Sequence, residues 1–172
     1  GAGTAQGLAV GALVAANPVG AVTMPGERAF WAWPLELEWR GAWEFGGVRP
    51  GPGAAGRAAE PLAAEGRLGA PGGATVIAAV ATDAALTAAE CRRVAMMAHD
   101  GIARAVRPAH TPLDGDTVFA LATGRAGAAA GPRPFALARI GAAAADCLAR
   151  ALARAVFEAV SGPGDLPAWR DG

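Results

Sequence analysis

The sequence predicts a single α/β (α+β) layer domain, and three observations carry that class. Apolar runs at residues 8–16, 75–82 and 117–123 have the length and composition of buried strands. Two longer segments, from Thr87 to Pro108 and over 139–160, repeat their apolar residues at helical spacing. From residue 75 onward strand and helix patterns alternate, which is how a sheet comes to be covered by helices. At 172 residues the chain is long enough for one sizeable core and short for two, so 1–172 reads as one domain.

The first strand, Leu-Ala-Val-Gly-Ala-Leu-Val-Ala-Ala at 8–16, stops at Asn17-Pro18, a turn signal. Residues 30–45 hold four of the five tryptophans, and the Leu35/Glu36/Leu37/Glu38 alternation predicts a half-exposed strand. Such an aromatic cluster serves equally as core, ligand pocket or subunit interface. From Gly46 to Gly73, Gly, Pro and Ala dominate without a hydrophobic period, which predicts a long loop or linker. It ends abruptly at the strand Thr75-Val-Ile-Ala-Ala-Val-Ala-Thr82.

Thr87 and Glu90 then form a capping box, with Leu86 placed as the hydrophobic staple. Cys91, Val94, Ala98, Ile102 and Ala105 follow on one helical face until Pro108. Asp114-Gly115-Asp116 leads into the strand Thr117–Thr123, and the last helix shows a face of Ile140, Ala144, Cys147, Leu148, Leu152, Ala155 and Val156. The tail from Ser161 is turn-rich and polar.

Composition removes several classes of function. A formal net charge of zero argues against a nucleic-acid partner, and no apolar run approaches the ~20 residues of a membrane helix. All fifteen basic residues are Arg, so lysine chemistry within the chain is excluded. Cys91 and Cys147 lack metal-ligand spacing and read as small buried side chains. The chain begins on Gly1 without Met or a charged-then-apolar leader, which reads as a processed or truncated start. No metal or cofactor is expected, and a soluble cytoplasmic protein is.

Thr75 is the first candidate for chemistry. A long loop delivers the chain to a hydroxyl residue at the very start of a buried strand. That arrangement suits a residue attacking its own preceding carbonyl, here Ala74, in an N-to-O acyl shift. Hydrolysis would leave Thr75 with a free α-amine of pKa roughly 7.7–8.0, able to take the hydroxyl proton. Thr is equally a favoured strand residue. Asn17 could stabilise an oxyanion or simply cap a turn, and Asp114 and Asp116 could orient a nucleophile or bond the backbone of a solvated turn. His99 and His110 are too far apart for a paired metal motif. A structural role fits His99 better than catalysis, while His110 could line a pocket.

Four stretches carry a resemblance to a known family. They are Gly1-Ala-Gly-Thr-Ala, Val10 to Asn17, Thr75 to Asp83, and Met97 to His110 running into Asp114 to Gly124. In these the chain resembles the L-aminopeptidase/D-esterase family of self-cleaving N-terminal-nucleophile hydrolases, and within it the nylon-oligomer hydrolase branch. The resemblance implies a layered αββα sandwich and cleavage between Ala74 and Thr75. The 46–73 segment would then be a processing linker, 1–74 the α-subunit part and 75–172 the β-subunit part. It implies that Asn17 helps stabilise the oxyanion and that Asp114 and Asp116 position or activate Thr75. It further implies substrates that are short peptides, amino-acid amides or 6-aminohexanoate-type oligomers, and a homo-oligomer, often a tetramer. The family also has a portion ahead of Gly-Ala-Gly and an active-site lysine, and this chain has neither. Two other readings follow: an acyltransferase of the ornithine acetyltransferase type, or an inert remnant of the hydrolase fold.

Overall fold

Thr75–Ala84 forms β5, the strand on which the fold is organised. The computed structural model describes residues 2–5, 7–57, 74–163 and 167–172. Within β5, Val76, Ala78, Val80 and Ala84 are buried while Ile77 between them faces outward, the period-2 alternation of a strand with one covered face. β5 lies between β2 (Leu8–Asn17), antiparallel to it, and β6 (Thr117–Gly127), parallel to it. β1 (Ala2–Ala5) adds to the far edge of β2, giving the order β1-β2-β5-β6. The parallel β5–β6 pair needs a crossover, and α1 (Ala88–Ala105) supplies it.

Both helices lie on one face of this sheet. α1 starts where Thr87 accepts a hydrogen bond from the Glu90 N–H while the Glu90 side chain accepts from the Thr87 N–H, so two otherwise orphaned donors are satisfied. α1 buries Val94, Ala98, Ile102 and Ala105. α2 (Arg133–Phe157) buries Ile140, Ala144, Cys147, Leu148 and Leu152 against the same core. The helices cross closely at Gly101, where a Cβ would lie 2.2 Å from the Ala145 carbonyl oxygen. Only a residue without a side chain allows that approach.

The structure is thus the mixed α+β protein the sequence predicts, with a helical layer on a sheet. On the opposite face of the sheet Leu13, Ile77, Phe119 and Leu121 are half or more exposed, and among the described residues nothing covers them. No helix there is long and apolar enough to cross a membrane.

Several local expectations change. Leu35/Glu36/Leu37/Glu38 is not a strand. Trp33–Leu35 forms a 3-10 turn with Pro34 in its first positions, and only Glu38–Trp39 (β3) pairs, with Ala42–Trp43 (β4). Glu36, read as a solvated residue of that alternation, is instead buried. Its Oε1 accepts from the Phe45 and Gly47 N–H groups at 2.9 Å each, and its Oε2 pairs with Arg49 at 2.8 Å. The second helix begins at Arg133 rather than 139, because a proline in the first turn gives up no intrahelical hydrogen bond. Of the expected 46–73 linker, residues 46–57 run through loop to a 3-10 turn at Ala54–Arg57, and 58–73 lie outside the described residues.

Two ties hold the tryptophan-rich segment to this frame. Arg150 on α2 forks onto Glu44 at 2.6 and 2.5 Å and donates to the Ala2 carbonyl at 2.8 Å. Burial pushes the Glu44 carboxyl up, but the bonds and charge of Arg150 outweigh it and leave its pKa lowered. Trp169, in the tail, stacks on Phe30 and Phe157 with the Arg28 guanidinium over its ring. The tryptophans divide accordingly: Trp31 is buried, whereas Trp39 and Trp43 are exposed.

Candidate active site

The start of β5 is where the far-apart candidates meet. In the β2–β5 register the last residue of β2, Asn17, is the Cα partner of the first residue of β5, Thr75. On the other side Ala74 bridges in parallel to Asp114, and Ile77 pairs with Thr117. The strand pairing therefore brings Asn17, Thr75 and the Asp114-Gly115-Asp116 loop to one end of the sheet. Thr75 is half-buried there, between the exposed Asn17 and Gly115.

The peptide ahead of Thr75 is held on its oxygen. Thr75 Oγ1 donates to the Ala74 carbonyl oxygen at 2.6 Å, and the Gly115 N–H donates to that same oxygen at 3.1 Å. Gly115 is required for its lack of a side chain, since a Cβ would stand 2.8 Å from Thr75 Oγ1. A main-chain N–H aimed at a carbonyl oxygen is the donor that stabilises negative charge developing there.

The two aspartates do different work. Asp114 builds the loop: Oδ2 accepts from the Thr111 N–H and hydroxyl at 2.8 Å each, and Oδ1 accepts from the Val19 N–H at 3.2 Å. Its contacts are those of a turn-forming Asp, and they lock the loop to the chain just beyond β2. Asp116 reaches β5 itself, where Oδ1 accepts from the N–H of Val76, the residue after Thr75, at 3.0 Å.

A further residue, which the sequence leaves only as a possible pocket wall, joins them. His110 Nδ1 lies 2.7 Å from Asp116 Oδ2. Its ring stands 5.2 Å from that of His99 on α1, whose pKa is lowered by burial first and by the neighbouring His110 second. Nothing in the local spacing signals this, since the residue before β6 and the loop after α1 are joined only by the folded loop. Among the described residues no group of three His, Cys, Asp or Glu side chains is placed to hold a metal ion. Cys91 and Cys147 are both free.

The Ala74 carbonyl oxygen thus accepts from both the Thr75 hydroxyl and the Gly115 main-chain N–H at the start of β5. Likeness to other proteins identifies the family. The chain is 44% identical to uncharacterized aminopeptidases of Mycobacterium bovis and Mycobacterium tuberculosis over 190 aligned residues, covering 99% of this chain and 51% of each relative. A third, from Mycobacterium leprae, is 56% identical over 95 residues, 51% of this chain and 26% of its own length. The chain thus spans about half the length of the first relatives it matches. The model of peptidase family S58 matches residues 2–166, from β1 through both helices and the whole Thr75 site, so the chain belongs to that family.

Proposed function

We propose that the protein is a self-cleaving amide hydrolase whose nucleophile is Thr75. The observation that carries this reading is the Ala74 carbonyl oxygen held between Thr75 Oγ1 and the Gly115 N–H. Thr75 Oγ attacks the Ala74 carbonyl carbon, and the Gly115 N–H supports the charge that gathers on the oxygen. A single preorganised donor of this kind contributes about 2.7–4 kcal/mol. The tetrahedral species collapses with loss of the Thr75 nitrogen as an amine, leaving Ala74 as an ester on Oγ. Water then hydrolyses the ester, freeing the Ala74 carboxylate and restoring the hydroxyl.

The new Thr75 carries its α-amine beside its hydroxyl. With a pKa of roughly 7.7–8.0 the amine accepts the hydroxyl proton near neutrality, and the same residue attacks a substrate amide. Asn17, the register partner of Thr75, is the side-chain candidate for stabilising the substrate oxyanion. Asp116 fixes the entry to β5 through Val76, and Asp114 fixes the loop that presents Gly115. No metal or cofactor enters this chemistry.

Membership of a peptidase family and relatives named as aminopeptidases favour substrates with a free amine near the scissile amide. These are the N-terminal residues of short peptides, amino-acid amides, or ω-amino-acid oligomers of the nylon type, handled by a cytoplasmic homo-oligomer. The test is the pair Thr75→Ala and Thr82→Ala. The first should stay one chain, and the second should still split after Ala74. Cleavage persisting in Thr75→Ala would show that the nucleophile lies elsewhere.

A further inference from the structure

Asp116 spends one carboxylate oxygen on Val76 and the other on His110. The carboxylate is 5% exposed and the imidazole 38%, so His110 is the solvent-side wall of a nearly buried anion. The second ring nitrogen, Nε2, faces the His99 carbonyl oxygen at 3.4 Å. Both nitrogens therefore look at acceptors. A neutral imidazole donates through only one nitrogen, whereas the imidazolium donates through both, and this geometry suits the cation.

The ring is aimed by an uncommon backbone. His110 adopts φ 55°, in the left-handed region that non-glycine residues seldom occupy. The surrounding charged and titratable groups come from two directions. His99 and Asp100 lie on α1, and Asp114 and Asp116 lie in the loop before β6. Arg107, nearby in sequence, is turned away onto the Trp31 ring.

We propose that His110, as an imidazolium bridging Asp116 and the His99 carbonyl, is a positioning residue for Thr75, so that self-cleavage slows as pH rises and the bridge is lost. The inference rests on Thr75 being the nucleophile. The path is short: His110 orients Asp116, Asp116 holds the Val76 N–H, and Val76 fixes the peptide that places Thr75 Oγ1 on the Ala74 oxygen. Deprotonation leaves one ring nitrogen facing an acceptor without a proton, so the ring is held from one side instead of two and the bridge is broken.

The experiment follows newly synthesised full-length chain by intact mass across pH, comparing wild type with His110→Asn. Asn tolerates the left-handed backbone and is neutral at every pH. The variant should cleave about tenfold more slowly at about pH 6 and converge with wild type, to within about twofold, near pH 9. A ratio that stays constant across pH marks a merely structural residue and overturns the proposal, as does no difference at any pH. Imidazole NMR of the uncleaved Thr75→Ala chain is a readout independent of cleavage. A hydrogen-bonded Nδ1–H resonance of His110 should be present at about pH 6 and vanish in the Asp116→Asn double variant. Its absence overturns the bridge even where Thr75→Ala blocks cleavage. Cleavage persisting in Thr75→Ala overturns the nucleophile and this proposal with it, and a wild-type chain that never cleaves overturns both.

Discussion

Adding one methyl group at Gly115 separates a Thr75 hydroxyl poised for attack from one that merely decorates a strand. Gly115 is not in the positive-φ region, so alanine meets no backbone strain, and the residue is exposed, so the fold has little to lose. The new Cβ would stand 2.8 Å from Thr75 Oγ1, where ordinary contact begins at 3.4 Å. The hydroxyl must retreat by about 0.6 Å, since the main chain it would otherwise push is bonded through the Gly115 N–H to the Ala74 oxygen. A misplacement of about 1 Å at a reacting atom costs ~10²-fold, so Gly115→Ala should slow cleavage about 10- to 100-fold, or about 1.4–2.7 kcal/mol of barrier. The assay is an intact-mass time course, with thermal unfolding as the control for folding. Cleavage within about threefold of wild type, with Tm unchanged, would refute the placement of the hydroxyl.

Further outcomes follow from the same structure. Gly101→Ala drives a Cβ to 2.2 Å from the Ala145 carbonyl, and because that atom is backbone in a buried helix the change should destabilise by about 1–3 kcal/mol, read in denaturant titration. Truncating Leu152, a fully buried core residue of α2, to alanine should cost about 2–5 kcal/mol by the same measurement. The Glu90 carboxyl is lowered from 4.5 to about 2, first by its bonds from Arg133 and then by the capping bond from Thr87. A depressed carboxyl stabilises the fold above its unfolded value, so this contribution is present above 4.5 and lost as pH falls toward about 2. Arg133→Ala should bring the Glu90 titration, followed by carboxyl NMR, back toward the ordinary range.

Where chemistry is written locally, the sequence is legible. The Thr87–Glu90 box, the helical repeat of Val94, Ala98 and Ile102, and the strand beginning at Thr75 all depend on neighbours a few residues apart, and each is found where the pattern places it. Pro34 and Pro134 mislead in opposite directions. One converts an apparent strand into a 3-10 turn, and the other sits harmlessly in a helix's first turn. Glu36 reads as solvated because its three partners come from residues 45–49, folded back over it.

At the site, Thr75 is marked by its position at a strand start, and Asp114-Gly115-Asp116 by its turn composition. Their meeting is not visible in spacing, because it arises from the β2–β5 register and the parallel β5–β6 pairing. His110 is the least legible of the site residues in the sequence. Its partner Asp116 is reached through a loop whose shape is set by Asp114 and by the left-handed backbone at His110, and neither leaves a periodic trace. The face of Leu13, Ile77, Phe119 and Leu121, left uncovered among the described residues, is likewise a property of layers, not of any one strand's composition.

The intact mass of the purified full-length protein tests the central claim most directly. The account predicts two species split between Ala74 and Thr75, one ending at Ala74 and the other beginning with Thr75 as a free N-terminus. A single uncleaved chain after prolonged incubation, or a split at any other peptide bond, would contradict it.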